Sequence, residues 1–304
     1  MSVAQMSSSA INDVEVLEPS KEIRVHLLWK IGQLQMLPSL AIKALDMAKR
    51  PDCSIQQFSA LIKRDQTLAA DMLKMANSMV YSRGLPIPSL TRAVSRLGLE
   101  QCKNLIMASS ANSLMVELTM TELWIREALW RHGFLTAKIA SLLNQSLKLG
   151  FQGEEFTAGL IHDIGRILMA VLAPTDFAKS DKLDCDEGAA EGQQELLKRE
   201  ERMFGTNHCI LGGWFVEYSG LPQSLADAVR YHHTYSYEMD DRPLVGLTAL
   251  ADHMANHMQL TKKADGYDPE SNPALDFLAR SHRQRDQLIA IMPKIMTEAV
   301  SVSR

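Results

Sequence analysis

An all-α protein of two helical lobes is what this sequence predicts, and three observations carry the prediction. Apolar residues recur at helical spacing in one segment after another, as in Leu68, Met72, Met75 and Ala76. Period-two alternation, the mark of a half-buried strand, is hardly visible anywhere. Length supplies the third: 304 residues can bury a full core and exceed the commonest domain size, so two lobes are expected.

Residues 1–24 are expected to form a flexible N-terminal segment, rich in serine and acidic residues without a sustained period, with organised helix starting near Lys21. A first lobe, 25–118, follows as a set of short helices. Leu37-Pro38-Ser39-Leu40 opens one that Pro51-Asp52 ends. Ser54 with Gln57 makes a capping box, in which hydroxyl and amide each satisfy an orphan backbone N–H. Asp65 starts the next helix, Asn77-Ser78 closes it, and Gly84-Leu85-Pro86-Ile87-Pro88 is a break. Ser89 caps a helix in which Leu90, Ala93, Val94 and Leu97 share a face until Gly98, which suits the position just past a helix. Cys102, Leu105, Ile106 and Leu114 then carry another amphipathic run.

The second lobe, 119–260, begins with a long helix over Trp124–Leu149. Ala128, His132, Leu135, Ile139 and Leu143 share one of its faces, so His132 points inward. One helix over 154–172 carries a His-Asp pair and stops before Pro174. Asp181–Gly192 reads as an acidic loop, after which helix resumes near Gln193 and presents Lys198-Arg199-Glu200-Glu201-Arg202 as a mixed-charge exposed face. Asn207 caps a helix that starts at His208. Pro222 and Pro243 open two more; Leu225, Val229, His232 and His233 share a face of the first, and Asp252 borders the buried side of the second. A polar connection over Thr261–Pro273 leads into a C-terminal helical extension, 261–304, which Pro293 should kink or interrupt.

Composition excludes several function classes. A formal net charge of −4 and a pI near 6.1 lack the positive footprint that phosphate-backbone binding needs, so no nucleic-acid partner is expected. The cluster Arg280, Arg283 and Arg285 is flanked by Asp276 and Asp286, as a solvated helix face would be. Cys53, Cys102, Cys185 and Cys209 form no C-x-x-C pair, which indicates neither a disulfide scaffold nor a thiolate zinc site and fits a reducing compartment. No leader pattern and no bilayer-spanning apolar run are present, so a cytoplasmic chain without a membrane partner is expected.

The stretch Gly159-Leu160-Ile161-His162-Asp163-Ile164-Gly165-Arg166 sets two potential metal ligands side by side in an apolar, helix-compatible run. Neighbours on a helix point about 100° apart, so both reach one ion only by leaning towards a pocket between helices. Other helices must then complete the set, and His132, His208, His232, His233 and Asp252 are the candidates. Buried histidines bonded only to backbone carbonyls are the bland alternative. His253 and His257 stand one turn apart without an accompanying acid and read as surface polar residues, while Gly212-Gly213 reads as a close contact of two helices.

In order, Leu37-Pro38-Ser39-Leu40, Asp65-Gln66-Thr67-Leu68, Met75-Ala76-Asn77-Ser78, Ala93-Val94-Ser95-Arg96-Leu97-Gly98, Trp130-Arg131-His132, Leu160 to Arg166, Phe204-Gly205-Thr206-Asn207-His208, Gly220-Leu221-Pro222, His232-His233 and Ala251-Asp252 resemble the HDOD family over roughly residues 25–260. The ordered combination is far more specific than any one piece. These are bacterial signalling proteins related to HD-domain phosphohydrolases. The resemblance implies a two-lobed helical HDOD fold with an HD-like bundle in its C-terminal lobe. It also implies a first metal on His132, His162, Asp163 and Asp252, and a second on His208 and His232 with Asp163 as bridge. The ion would be a divalent metal such as iron, manganese, zinc, nickel or magnesium.

Two departures bear on activity. Relatives that cleave cyclic dinucleotides carry a Gly-Tyr-Pro element after the His-His pair, where this chain has Thr234-Tyr235-Ser236-Tyr237. A lysine common in active relatives is Arg166 here, a planar fork in place of a point charge. The expectation is therefore a regulator that binds a signalling protein or a small phosphorylated ligand without turnover. The competing expectation is a metal-dependent phosphohydrolase in which Asp163 and Arg166 serve catalysis.

Overall fold

The computed structural model describes residues 18–31, 39–48, 50, 52–77, 87–117, 123–151, 153–180, 193–219, 221–234, 243–261, 263, 266–272, 274–279 and 281–301. The expected N-terminal tail up to residue 17, the Leu37-Pro38 opening, Ser78, the Gly84–Pro86 part of the break and the Asp181–Gly192 loop lie outside these residues, as does Tyr235-Ser236-Tyr237. All regular structure among the described residues is helical: α1 (Lys21–Ile31), α2 (Ser39–Ala48), α3 (Ile55–Ile62), α4 (Gln66–Ala76), α5 (Leu90–Glu117), α6 (Leu123–Leu147), α7 (Glu154–Ile161), α8 (Ile164–Leu172), α9 (Pro174–Ser180), α10 (Gln193–Phe204), α11 (His208–Tyr218), α12 (Gln223–Tyr231), α13 (Pro243–Thr261), α14 (Ala274–Leu278) and α15 (His282–Ser301), with a 3-10 turn over Pro269–Ser271.

Local chemistry sets the helix starts. The Ser54 hydroxyl accepts from Gln57 N and the Gln57 side chain accepts from Ser54 N, completing the expected capping box. Asp65 Oδ1 accepts from Leu68 N at 3.0 Å ahead of α4. Asn207 Oδ1 does the same for Ile210 N at the head of α11. Gly98, at φ 78°, breaks α5 into two helices, a backbone state that costs a glycine little. Lys30 reaches from α1 to the C-terminus of α8, donating to Val171 O at 3.1 Å and Leu172 O at 2.6 Å.

Two expectations are corrected. The single helix over 154–172 is two: α7 ends at Ile161, His162 caps it, and Asp163 adopts φ −95°, ψ 15° before α8 starts. Turning the chain at the pair lets both side chains face the same hollow, which two neighbours on an unbroken helix do only by leaning. Pro293 does not interrupt α15, because it lies on the exposed face while Met292, Ile295, Met296 and Ala299 are buried.

Two apolar cores form among the described residues. One runs from Leu27, Phe58 and Met72 through Val94 and Ile106 to Phe156, Leu168, Phe215 and Val229. The other gathers Ile139, Leu143, Leu250, Met254, Leu275, Leu288, Met292 and Met296 from α6, α13, α14 and α15. Helix α6 lies between them, against α7 on one side and α13 and α15 on another. Contact with α7 is backbone on backbone: a Cβ on Gly159 would sit 2.7 Å from Ala137 Cα, and one on Gly133 2.5 Å from Leu160 O. That approach carries His132 next to His162.

Candidate metal centre

His132 from α6, His162 and Asp163 from the α7–α8 turn, His208 from the start of α11, His232 from the end of α12 and Asp252 from α13 converge on one buried cluster. All six are nearly out of solvent, Asp163 being the most exposed at 7%. His162 and His232 each follow the last residue of a helix and His208 is the first of one, so three rings hang from helix ends rather than helix flanks.

Each ring is fixed from outside. Nδ1 of His162 donates to Gly159 O at 2.8 Å and Nδ1 of His232 to Val229 O at 2.7 Å. His132 Nδ1 donates to Gln259 Oε1 at 3.0 Å, and His208 Nδ1 to Glu200 Oε2 at 2.6 Å. Outward Nδ1–H bonds of this kind set the tautomer and aim Nε2 at an ion. The four Nε2 atoms face the two aspartates: His132 lies 2.9 Å and His162 3.4 Å from Asp252 Oδ1, while His208 lies 3.4 Å and His232 3.8 Å from Asp163 Oδ1. Asp163 Oδ2 is 3.8 Å from His162 Nε2 and 3.9 Å from His132 Nε2, so its carboxylate spans both halves. Asn256 donates to Asp252 Oδ1 at 2.8 Å and Gln193 reaches Oδ2 at 3.4 Å.

Electrostatics follow from this crowding. Burial alone would raise the Asp163 carboxyl, yet His162, Arg166 and His208 beside it hold it far below the usual carboxylate range. Asp252 is likewise held down against burial by its bonds to His132 and His162. Burial pulls the His162 ring down, and Asp163 and Asp252 overcome this and raise it. His208 is raised well above an ordinary imidazole against the same burial, with Cys209 and Glu200 facing it. Burial and its neighbours His233 and His162 push His232 well down, and burial pushes His233 down to about 4.

The donor set fits a divalent cation. His132 Nε2 and His162 Nε2 approach to 3.1 Å while both Nδ1 atoms are already committed as donors. Two lone pairs at that range repel unless a proton or a cation lies between them. Ligands around one ion at bond lengths near 2.0–2.3 Å stand about 3–4 Å apart, as the convergent atoms here do. Imidazole with carboxylate suits zinc, iron, nickel or manganese.

The structure also places residues that the sequence pattern misassigns. Glu200, expected on an exposed face, is 3% exposed; its Oε2 accepts from both N and Nδ1 of His208. Its spacing from Leu197 and Phe204, three and four residues away on the packed side of α10, was the signal. Cys209, set aside for want of a second cysteine, lies buried with Sγ 3.4 Å from His208 Nε2. His233, a candidate already in the sequence, joins the same group. Arg166 Nη1 stands 3.5 Å from Asp163 Oδ2. His253 and His257 lie apart from the cluster, their rings packed on Tyr267.

Two tests arise here. Glu200→Gln keeps the shape but removes the carboxylate charge that faces His208 Nδ1, and divalent-metal affinity by calorimetry should fall about 10–100-fold, as loss of an outer partner does. The second concerns acid. His233 is held at about 4 against 6.5 in the unfolded chain, so between those values the unfolded state binds the extra proton and stability falls as pH drops. At about 1.4 kcal/mol per unit, His233 contributes on the order of 3 kcal/mol, and His232 adds in the same direction. Urea unfolding of chelator-treated protein at pH 6.5 and pH 4.5 reads this, and His233→Gln should flatten the slope.

Comparison with known proteins places these features in a family. The HDOD domain profile matches residues 34–235, more than half of the chain, and ends before Asp252. The crystal structure of an HDOD domain protein of unknown function from Geobacter sulfurreducens superposes with a TM-score of 0.72, at 24% identity, over 92% of this chain and 97% of that one. A candidate signal-transduction protein from Marinobacter aquaeolei VT8 gives 0.63 at 20% identity, over 93% and 66%. A candidate phosphohydrolase from Shewanella amazonensis SB2B gives 0.60 at 20% identity, over 91% and 98%. An uncharacterized protein of Treponema pallidum (strain Nichols) is 21% identical over 241 residues, 79% of this chain, and the chain spans under half, 45%, of that relative's length. No helix among the described residues is long and apolar enough to cross a membrane.

Proposed function

We propose a function from one premise: the chain belongs to the HDOD family. It works as a bacterial signalling protein in which a buried divalent-metal centre, held by His132, His162, Asp163, His208, His232 and Asp252, fixes the relative placement of six helices. Its output is the binding of a signalling protein or a small phosphorylated ligand. The single observation behind this is the inward convergence of four Nε2 atoms on Asp163 and Asp252 with every Nδ1 tied outward. Thr234 where hydrolytic relatives are expected to continue into Gly-Tyr-Pro argues for binding over turnover. The signal-transduction relative named above accords with it.

A second reading is metal-dependent phosphoester hydrolysis, favoured by Arg166 beside Asp163 and by the phosphohydrolase relative. A divalent ion there would supply Lewis-acid polarisation and an activated water; Arg166 would hold a phosphoryl oxygen by its fork. Elemental analysis of untagged protein, paired with assays on phosphomonoesters and cyclic dinucleotides, separates the two. Bound metal lost in His162→Ala, without turnover, is the expected result. Metal-dependent turnover abolished by Asp163→Ala would replace the first reading with the second.

A further inference from the structure

We infer that His208, Cys209, His232 and His233 form a sulfur-containing pocket for a borderline or soft divalent cation, on the α11–α12 side of the cluster. This rests on the metal-centre reading and adds two ligands, Cys209 and His233, that the family resemblance does not assign. His208-Cys209 opens α11 and His232-His233 follows α12, and the two helices pack together, so two adjacent pairs meet across one interface. Cys209 Sγ lies 3.4 Å from His208 Nε2 and 3.9 and 4.0 Å from Nδ1 and Nε2 of His232. One donor atom from each of the four residues falls within 4.8 Å of all the others.

A tetrahedral ion with bonds near 2.0 Å to nitrogen and 2.3 Å to sulfur separates its ligands by about 3.3–3.6 Å. The group needs only a modest contraction to match. Independent support comes from His233, whose side chain is 5% exposed and whose buried Nδ1 has no hydrogen-bond partner among the described residues, Asp252 Oδ2 standing 3.8 Å off, beyond hydrogen-bond reach. An orphaned buried polar atom costs about 1–3 kcal/mol, and coordination removes that cost. The sulfur contacts alone do not, since a thiol is a weak hydrogen-bonding group.

The two ends of the cluster thereby differ in hardness. His132, His162, Asp163 and Asp252 pair imidazole with carboxylate oxygen, whereas the α11–α12 side adds thiolate to imidazole and the shared Asp163 oxygen, which favours zinc, ferrous iron or cobalt over magnesium. Cobalt(II) titration of the untagged, chelator-treated 304-residue chain tests this. Thiolate-to-cobalt charge transfer appears in the near ultraviolet, and ligand-field bands of cobalt appear in the visible whether or not sulfur binds. Wild type should show both and keep both in excess magnesium. Cys209→Ala should lose the near-ultraviolet band and keep the visible ones, Cys53→Ala should lose neither, and zinc affinity should fall about 100-fold or more in Cys209→Ala, beyond the loss of an outer partner. Should Cys209→Ala not fold, by circular dichroism, Cys209→Ser serves, and the wild-type spectrum stands without either. Visible bands without the near-ultraviolet band in wild type, or that band surviving in the Cys209 variant, overturn this inference and leave the metal centre intact. No cobalt bands at all in wild type overturn both.

Discussion

Gly165→Ala is expected to cost more stability than any other single methyl added near the cluster. A Cβ there would lie 1.9 Å from His208 O and 2.6 Å from His208 C, both backbone atoms that cannot rotate away. Helices α8 and α11 must then part, and Gly212, whose own Cβ would meet Gly165 N at 3.1 Å, shows how little slack the crossing has. Overpacking of well-packed cores costs about 1–3 kcal/mol; a backbone obstruction belongs at or above the top of that range, because parting the helices also exposes the buried cluster. Chemical denaturation should show a loss of about 3 kcal/mol or more, and metal affinity should fall with it as Asp163 and His208 separate. Unchanged stability would mean that α8 and α11 do not cross as described.

Asp163→Ala is the second large effect. Its carboxylate faces His132, His162, His208, His232 and Arg166 within 4.0 Å, so one deletion leaves several buried imidazoles and a guanidinium without their shared counter-charge. Removing one partner of a buried pair costs about 3–5 kcal/mol. The protonated state of His162 should weaken, since Asp163 is the largest influence raising it against burial. Two measurements separate charge from packing: metal content by elemental analysis should drop to background in both Asp163→Ala and Asp163→Asn. Thermal stability should fall less in the Asn variant, which retains shape and hydrogen-bond capacity.

How much of this was legible in the sequence depends on whether the deciding chemistry is local. Ser54 with Gln57, Asp65 and Asn207 announce helix starts because a cap needs only residues three apart, and Gly98 announces a stop because few other residues accept its φ. Convergence of His132, His162, Asp163, His208, His232 and Asp252 was legible through the ordered motifs, not through any one pair. The turn at His162-Asp163 was not, because Ile161 and Ile164 continue the apolar pattern across it and neither glycine nor proline marks the break. Glu200 hid inside a run of charges of which only one face is exposed. Cys209 carries no motif of its own. Its partners His232 and His233 come from another helix, and spacing along the chain is silent about that.

His132 and Asp252 meet at 2.9 Å across 120 positions of chain. Contacts so remote in sequence must first meet the loop-closure cost of the chain between them, so this one is expected to form late in folding. A cation that needs both side chains therefore finds no purchase on an early collapsed chain. Its grip is felt chiefly as slower escape from the native state, so that zinc should lengthen the unfolding time in stopped-flow measurements and leave the refolding limb nearly where it was.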